Sequence, residues 1–543
     1  MKRSIIILLL WIIFNPAIAQ ESNIYKFWIS FTDKNGTPYT ISSPEEFLSD
    51  RAINRRIRYG IPVTESDLPV NPVYTDSLRK LNATLLYTSK WFNAAVIETM
   101  DSALVTLLNQ QSFISHTKLL YPSSHLNEPV LKAFRDDKNI STLDYGLASQ
   151  QIILHHGERL HQEGYQGQDM LIAILDDGFN NVDSLRAFDS LHINGQILGT
   201  KDFVRAGNDV YREHNHGMHV LSIIGGNIPG ELVGTAPKAM FWLLRSEDVF
   251  SEYRIEEANW IAAAEFADSV GADIINSSLG YSIFTDSLQN YTYEDMDGQT
   301  AMVTRGADMA ASKGILVVVS AGNSGNKQWK YITAPADGDS VLTVGAVNPE
   351  GFYADFSSQG PTFDGRIKPN VVSVGSGAII QKTDGTVGSG NGTSFSSPIM
   401  AGLSACLWQK FRDLTNYEII LTLEQSSSMY PWPNNLIGYG IPNLGVANDI
   451  ITGESCPPTD QDLNFYPNPV KSSLFISLPF PIGQVMQWEI YDASGCKIRS
   501  SSGKTYLTES GFYINSLDGM NTGLYIIRIT TDDKILSGRF IKE

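Results

Sequence analysis

Short apolar runs that do not alternate with polar residues fill the middle of this chain and constrain its fold most strongly. The clearest of them are residues 171–175, 272–276, 315–319 and 341–347. Helix-like segments such as Ile255–Val270 and Thr300–Lys313 lie between several runs. A strand that is apolar along its whole length is buried on both faces, which is typical of a parallel sheet covered by helices. Residues 144–451 are therefore predicted to form an α/β domain with a parallel sheet, and function should sit at the carboxyl ends of its strands.

Length and composition narrow the class of protein further. A chain of 543 residues is several times longer than a typical domain, so roughly two to four domains are expected. Its 42% hydrophobic and 18% charged residues are typical of a folded chain and not of a disordered one. The net charge of −18 would repel a polyanion, which argues against nucleic-acid binding as the main function.

The first nineteen residues have the pattern of a secretory signal peptide. Lys2 and Arg3 precede the apolar run Ile5–Phe14, and small residues follow at Ala17 and Ala19. Cleavage after Ala19 would release an exported chain. A membrane anchor is the alternative, but it needs a longer apolar run than this one.

Smaller regions flank the predicted α/β domain. The pattern in residues 20–125 predicts strand, helix, strand, helix, strand, with a single strand across 83–98, and so a small α+β unit. Polar residues 126–143 and residues 452–463, which contain Pro and Asp, are predicted to be linkers. Residues 464–543 contain short strands separated by Gly, Asp and Asn turns, which predicts a small β-sandwich.

Polar residues with catalytic potential follow two elements of the α/β domain. Asp176 ends the run 171–175, where an acid could be a metal ligand, a phosphoryl acceptor, an orienting carboxylate or a simple turn residue. Histidines stand at positions 214, 216 and 219. Three histidines so close together could bind zinc, although the HExxH spacing is missing. His216 could equally be a general base at the start of a helix.

Two further candidates follow along the chain. Asn323 comes after the run 315–319 and carries an amide NH2 that could donate to an oxyanion. Ser394 precedes Pro398 in a segment that should begin a helix. A serine there could be an ordinary helix cap, or its hydroxyl could act at the positive end of the helix dipole.

The order Asp176, His216, Asn323, Ser394 is similar to the order in subtilisin-like serine proteases. The resemblance runs from about Gln150 to Ala447, and the Ser394 block GTSFSSP is its most specific motif. The matching blocks are Ile172–Gly178, His216–Val220, Gly234–Ala239, Asn276–Gly280, Ser320–Asn323, Phe356–Gly360, Gly392–Pro398 and Gly438–Gly440.

This resemblance implies a role for each candidate. Ser394 would be the nucleophile, His216 its base, Asp176 the carboxylate that orients the base, and Asn323 an oxyanion donor. The residues implied to bind substrate are Ser278, Leu279, Gly280, Ser320, Ala321 and Gly322. Catalysis would require no cofactor, and any bound calcium would be structural. The deprotonation of His216 predicts a rise in activity near pH 6–7.

The chain departs from the family pattern beside the predicted triad. Asp177 stands where the family usually has Ser or Thr, and this second carboxylate could raise the pKa of the pair. Met218 replaces a usual Thr, and residues 368–375 differ from the family's KPDVVAPG block. These changes concern the pH optimum and local packing, and the triad residues are all present.

The flanking regions resemble known partners of such a domain. Residues 20–125 are similar to the ferredoxin-like inhibitory prodomains of the family, so the chain's own prodomain would be a partner. The segments Tyr466–Pro469, Gly523–Tyr525 and Gly538–Phe540 resemble the C-terminal sorting domains of the type IX secretion system of Bacteroidetes. The alternative for this region is a generic adhesive β-sandwich.

The sequence thus predicts a secreted serine endopeptidase made as a precursor, with protein or peptide substrates. A non-catalytic exported binding or adhesion protein on a protease-like scaffold is one alternative, and a metallohydrolase that uses Asp176, Asp177 and the histidines is another. Cys406 is predicted to be buried, whereas Cys456 and Cys496 could pair in an exported chain.

Overall fold

The computed structural model describes residues 24–122, 143–453, 464–477, 485–492, 497–501, 505–506, 511–531 and 535–543. The predicted signal peptide, most of both predicted linkers, and Cys456 and Cys496 lie outside these residues. In the described ranges, no helix is both long and apolar enough to cross a membrane.

The N-terminal unit is built on a four-stranded antiparallel sheet. Its elements are β1 Tyr25–Phe31, α1 Asp50–Tyr59, α2 Pro72–Lys80, β2 Thr84–Ser89, β3 Ala94–Thr99, α3 Leu104–Leu108 and β4 Ile114–Tyr121. The strands lie in the order β2-β3-β1-β4. This order, with helical crossovers after β1 and β3, is the ferredoxin-like arrangement that the sequence predicts.

Two local predictions in this unit are wrong. Residues 83–98 form a hairpin of β2 and β3 and not one strand. At its turn the Ser89 hydroxyl accepts a hydrogen bond from the Phe92 N–H at 3.2 Å, and Asn93 adopts a φ of 48°, which Asn tolerates well. Helix α2 has no counterpart among the predictions, although the Asn71 side chain caps it by accepting from the Val73 N–H at 2.9 Å.

The central domain contains the predicted alternation of strands and helices. Its elements are α4 Ser149–Ile153, α5 Glu158–Gln162, β5 Leu171–Asp176, α6 Asp189–Ile193, β6 Ile197–Asp202, α7 His216–Gly225, β7 Asn227–Ile228, β8 Leu232–Val233, β9 Met240–Arg245, α8 Ile255–Val270, β10 Ile274–Ser277, α9 Met302–Ser312, β11 Leu316–Ser320, β12 Leu342–Val347, β13 Val371–Val374, β14 Ser376–Gln381, β15 Val387–Asn391, α10 Thr393–Lys410, α11 Asn416–Gln425 and α12 Leu444–Thr452.

Seven of these strands form one parallel sheet in the order β13-β12-β11-β10-β5-β9-β6. Helices cover both of its faces, as predicted. Ile172 and Ile174 of β5 belong to the apolar core that includes residues of α7 and α10, whereas Leu171, Ala173 and Leu175 belong to the core with α8 and α9. The chain leaves β5 toward one edge and later continues from β10 toward the other, so the strand order reverses between β5 and β10. Ligands of such sheets bind at this switch point.

Helix α10 begins one residue before Ser394, with Gly392 as its N-cap. Pro398 lies in the second turn and not in the first turn that the sequence predicts. Because Pro398 has no N–H, the Ser394 carbonyl lacks its helical partner and accepts a hydrogen bond from the Ser278 hydroxyl at 2.9 Å. The proline therefore frees a carbonyl that ties the start of α10 to the segment after β10. Cys406 in this helix is buried, as predicted.

The C-terminal domain contains two antiparallel sheets. Its strands are β16 Asn464–Tyr466, β17 Leu474–Ser477, β18 Val485–Asp492, β19 Lys497–Ser500, β20 Thr505–Tyr506, β21 Gly511–Ile514, β22 Gly523–Thr531 and β23 Ile535–Lys542. One sheet has the order β16-β17-β21, and the other has the order β19-β18-β22-β23 with β20 beside β18. Ile476 of the first sheet and Ile490, Ile527 and Phe540 of the second share one apolar core, as in the predicted sandwich.

Candidate active site

Asp176 and His216 form a buried carboxylate–imidazole pair at the sheet's switch point. Asp176 ends β5 and is fully buried, and its Oδ1 lies 2.7 Å from Nδ1 of His216 at the start of α7. Gly217 allows this approach, because a methyl group there would lie 2.9 Å from the Asp176 Cβ atom. The His216 side chain is 26% exposed. The imidazole is therefore bound to Asp176 on its buried side and is accessible from the surface on the other.

The electrostatics of the pair favour a protonated His216 beside the Asp176 carboxylate. Burial raises the pKa of Asp176, and the Asp177 charge adds to this effect, whereas the charge and hydrogen bond of His216 act against it. Burial alone would lower the pKa of His216, but the Asp176 charge and hydrogen bond, with the Asp177 charge, raise it above its ordinary value. The arrangement therefore stabilises an imidazolium at position 216.

Asp177 forms a second carboxylate–imidazole pair beside the first. Its Oδ2 lies 2.5 Å from Nδ1 of His214, and its Oδ1 accepts the His216 backbone N–H at 3.2 Å. The hydrogen bond to Asp177 raises the pKa of His214. Asp177 thus caps α7 from another element. The sequence prediction missed this role because it considered Asp177 only as a charge beside Asp176 and as a residue of the metallohydrolase alternative.

The three histidines do not converge on one point, which contradicts the zinc alternative in its three-histidine form. His214 and His216 bind different carboxylates, and His219 packs against the Phe395 ring. Burial lowers the pKa of His219 to about 4. In the described part of the chain, the clusters whose geometry could hold a cation are Asp176, Asp177 and His216, and separately Glu247, Glu252 and Glu256.

Ser394 lies in the first turn of α10, which packs against His216 through the next residue. The His216 ring stacks on Phe395, the following residue, with 5.8 Å between ring centroids. Within the described residues, the Ser394 hydroxyl has no hydrogen-bond partner, and a direct bond to His216 is not formed. Such contacts are often long in an empty site and shorten when substrate binds. The structure therefore brings the start of α10, which carries Ser394, against the Asp176–His216 pair, and it leaves the Ser394 hydroxyl without a hydrogen-bond partner among the described residues.

Asn323 is oriented toward the same point by a residue that the sequence prediction did not single out. Its Oδ1 accepts hydrogen bonds from the Thr393 N–H at 2.8 Å and from the Thr393 hydroxyl at 3.1 Å, so its NH2 group faces the other way. A methyl group at Gly392 would lie 2.8 Å from the Ser394 Oγ and 3.6 Å from the Asn323 Nδ2. The one sequence signal for this orienting role is that Thr393 directly precedes Ser394.

The six predicted substrate-binding residues fall into two groups. Among the described residues, the N–H and C=O groups of Leu279 and Gly280 make no backbone hydrogen bond outside the sheet ladders, and Ser278 is anchored to Ser394 through its hydroxyl. Ser320 ends β11. Ala321 donates to Val344 at 3.0 Å and accepts from Thr333 at 3.3 Å.

Gly322 is engaged in the same way as Ala321. Its N–H donates to the Thr393 hydroxyl at 3.1 Å, and its C=O accepts from Ser358 at 2.9 Å. The segment 320–322 therefore supports the site, whereas Leu279 and Gly280 present free backbone groups beside it.

The arrangement can perform one kind of chemistry well. The start of α10 carries a free hydroxyl, the start of α7 carries an imidazole fixed by a buried carboxylate, and the segment after β11 carries an amide NH2 without a hydrogen-bond partner among the described residues. The hydroxyl can act as a nucleophile, the imidazole as a general base and the amide NH2 as an oxyanion donor.

Comparisons with known proteins agree with this geometry. Family models match the Subtilase family over residues 167–440, the Bacteroidota propeptide domain of peptidase S8 over 26–135, and a secretion system C-terminal sorting domain over 464–543. The last match favours a sorting domain over a generic adhesive sandwich, and a protein with this domain is secreted or lies at the cell surface.

Two curated relatives show the same likeness, and one solved structure is reported with them. Subtilisin E of Bacillus subtilis is 31% identical over 294 residues, which are 53% of this chain and 68% of that protein. Subtilisin of Bacillus pumilus is also 31% identical, over 53% of this chain and 94% of that protein. The crystal structure of MycP1 from Mycobacterium smegmatis has 21% identity and a TM-score of 0.45, covering 60% of this chain and 89% of that one. By the family model and the two subtilisins, this chain belongs to the subtilase family.

Proposed function

We propose that this chain is the precursor of a secreted serine endopeptidase that cleaves peptide bonds through Asp176, His216 and Ser394. The observation that carries the proposal is the 2.7 Å contact between Asp176 and His216 beside the unpaired hydroxyl of Ser394. The matches to a subtilase domain, a propeptide and a sorting domain support the reaction class and the precursor organisation.

In the proposed reaction each of these atoms has its own step in peptide hydrolysis. With Nδ1 of His216 bound to Asp176, its Nε2 takes the proton of Ser394 while Oγ attacks the substrate carbonyl carbon. The NH2 of Asn323 and the Ser394 N–H hold the oxyanion. His216 then gives its proton to the leaving amine, and an acyl-enzyme remains. Water, deprotonated by the same imidazole, then attacks the ester carbonyl carbon. The bond from that carbon to Ser394 Oγ breaks, His216 returns the proton to Oγ, and the acid leaves.

The substrate would bind as an extended strand. Leu279 and Gly280 carry free backbone groups beside Ser394, so a peptide can pair with them by adding a strand. This mode uses groups that every peptide has, which agrees with an endopeptidase that acts on protein substrates.

The pH dependence follows from the raised pKa of His216. The base works only when neutral, so activity falls as the pH drops through the folded-state pKa. Because Asp176 and Asp177 raise this pKa from 6.5 to about 9, we expect the rising limb of kcat/KM above pH 7, which is higher than the pH 6–7 that the sequence predicts. A profile of kcat/KM from pH 5 to 10 measures it. Asp177→Asn should move the limb to lower pH, and a limb below pH 6 in the unchanged enzyme would contradict the assignment.

The prodomain is proposed to inhibit the enzyme until it is removed. Its docking is built on buried charges: Asp268 of α8 accepts from Arg55 at 2.6 Å, Arg56 at 3.1 Å and Lys90 at 3.0 Å. Burial would raise the pKa of Asp268, but Lys90 and the two arginines outweigh it and lower the pKa to about 2. Glu265 also accepts hydrogen bonds from the tip of the β2–β3 hairpin.

Asp268→Asn is therefore expected to weaken prodomain binding strongly. It leaves Arg55 and Lys90 without their buried carboxylate, while Arg56 keeps its bond to Asp67 at 2.7 Å. Breaking a buried ion pair in this way costs about 3–5 kcal/mol, or about 10²–10⁴ in the inhibition constant. The measurement is inhibition of the mature enzyme by added residues 24–122. Asp76→Asn is the matched control, because the exposed Asp76–Arg79 pair is worth about 0–1 kcal/mol. The three pairs to compare are the unchanged enzyme with the unchanged prodomain, the Asp268→Asn enzyme with the unchanged prodomain, and the unchanged enzyme with the Asp76→Asn prodomain. Equal inhibition constants for all three pairs would contradict this role.

The C-terminal domain is proposed to present the chain to type IX secretion machinery. The family match to a secretion sorting domain supports this partner. A chain that lacks residues 464–543 should then accumulate in the periplasm, whereas its appearance outside the cell at the normal level would contradict the proposal.

The mechanism needs no cofactor, and calcium would only stabilise the fold. A fluorophosphonate probe tests the absence of a cofactor and the structural role of calcium together. The probe reacts with an activated serine and not with an ordinary one, so its yield with and without metal reports whether activation depends on a metal. We expect one label per mature chain, on Ser394, with the same yield after brief chelation. An unlabelled chain would favour the non-catalytic adhesion protein. Hydrolysis that disappears at once on chelation, in a chain that stays folded, would favour the metallohydrolase.

A further inference from the structure

A polar cavity of about 300 Å³ lies between the N-terminal unit and the central domain. Its walls are formed by residues of both regions, namely Arg51, Asn54, Arg55, Arg58, Asp273 and Arg412. The first four lie on α1, at positions three, four and seven apart, which share one face of a helix. Asp273 directly precedes β10, and Arg412 follows α10. The cavity therefore exists only while the N-terminal unit is docked on the central domain.

Four of the six wall residues are arginines, and contacts with the central domain fix two of those on α1. Arg51 donates to the Gly271 carbonyl at 2.9 Å. Arg55 is buried and donates to the Lys313 carbonyl at 3.0 Å. The side chains of Arg51 and Arg412 are still 32% and 28% exposed, so a solute can reach the cavity from solvent.

The carboxylates around the cavity are too few to neutralise these arginines. Asp273 is shared by Arg51 and by Arg412, which donates to it at 2.8 Å. Asp268, which is not part of the wall, is bound by three cations at once. Arg58 is exposed and has no carboxylate partner among the described residues. Positive charge is therefore in excess here, in a chain whose net charge is −18.

This excess of positive charge has an electrostatic cost that a bound anion would lower. Burial lowers the pKa of Arg55, and the charges of Arg56 and Arg51 contribute to the lowering. The charges of Asp268 and Asp273 oppose it. Guanidinium groups bind phosphate oxygens through pairs of parallel N–H bonds, and several arginines around one space are typical of phosphate recognition.

We propose that this cavity binds a phosphate group, free or on an ester, and that the bound phosphate joins the prodomain to the central domain. The site itself does not depend on catalysis, whereas its effect on inhibition rests on the proposed function. Because both regions form the wall, phosphate binds the precursor and not the mature enzyme. It therefore tightens prodomain binding by a factor of one plus the ratio of the phosphate concentration to its Kd.

Calorimetric titration of the full chain with inorganic phosphate, at constant ionic strength, tests the site. The chain carries Ser394→Ala so that it keeps its prodomain. We expect one phosphate per chain. Arg58→Gln removes an exposed cation of the wall and should weaken binding at least about tenfold, the effect of losing one hydrogen bond to a charged group. Arg79→Gln is the matched control, because it removes an exposed arginine of α2 that does not line the cavity.

Glycerol phosphate is titrated in parallel to distinguish the two sources of the group. Tighter binding of the ester assigns the site to phosphate esters, and tighter binding of inorganic phosphate assigns it to the free ion. A folded precursor that binds neither compound would overturn the inference. Equal affinities in Arg58→Gln and Arg79→Gln would also overturn it, as would a mature enzyme that binds phosphate as tightly as the precursor.

The effect on inhibition is measured in the unchanged precursor as the delay before protease activity appears. Phosphate at ten times its Kd tightens prodomain binding about tenfold, so the delay should lengthen, and it should lengthen much less in Arg58→Gln. An unchanged delay in a precursor that binds phosphate would overturn the effect on inhibition. If no activity appears and Ser394 is not labelled by a fluorophosphonate, the proposed function fails, whereas the titration still decides whether the site exists.

Discussion

Replacing Ser394 with Ala is expected to lower kcat by about 10⁶, the size of loss that removal of the nucleophile causes in subtilisin. The substitution removes the only atom that can form the acyl-enzyme, whereas the oxyanion donors and the substrate strand stay in place. The Ser394 hydroxyl has no hydrogen-bond partner in the described structure, so its loss strands no buried group and the fold should be unaffected. Casein hydrolysis measures activity, and circular dichroism with thermal unfolding measures the fold.

A matched control lies in the same helix. The hydroxyl of Ser404 in α10 is also buried without a partner among the described residues, so Ser404→Ala makes the same chemical change away from the site. It should keep full activity and similar stability. If the Ser394→Ala enzyme, folded and free of contaminating protease, kept more than about 1% of the original kcat, the nucleophile would have to be another residue.

The sequence predicts which residues form the candidate site, but it does not predict which carboxylate pairs with which histidine. Apolar runs end at Asp176 and before Asn323, and the chain order of the candidates is readable directly. Two carboxylates and three histidines, however, could combine in several ways. The turn after β5 sends Asp176 toward His216 and Asp177 toward His214. That choice depends on side-chain directions at one turn, which spacing alone does not contain.

The fold, like the site, is predictable where local sequence determines it and not where tertiary contacts determine it. The parallel sheet is predictable because burial on both faces makes each strand apolar throughout. The β2–β3 hairpin is not, because its turn contains no Gly or Pro, which are the strongest turn signals. Its tip is held by Glu265 of the central domain, which accepts from the N–H groups of Lys90 and Trp91 at 2.7 and 3.1 Å. A turn stabilised by a residue about 175 positions away leaves little trace in its own sequence.

Replacing Asp176 with Ala is expected to lower kcat by about 10⁴, as loss of the corresponding carboxylate does in subtilisin. The carboxylate does two things for His216. Its Oδ1 fixes the ring through Nδ1 at 2.7 Å, so that Nε2 faces the serine, and its charge stabilises the imidazolium that forms in the transition state. Alanine removes both effects, and without this charge the pKa of His216 should fall. The pH profile of the variant should therefore shift to lower pH while its maximum drops.

Asp177→Ala is the control, because it removes a carboxylate from the adjacent position at the same strand end. Asp177 reaches His216 only through the backbone N–H, at 3.2 Å, so its loss removes a helix cap worth about 1 kcal/mol and part of the charge, and leaves the ring oriented. We expect less than about a tenfold loss of kcat. Equal losses in the two variants would mean that total negative charge, and not orientation of the imidazole by Asp176, is what the site requires. A large loss of kcat in Asp176→Ala alone would show that catalysis depends on the hydrogen bond from Asp176 to Nδ1 of His216.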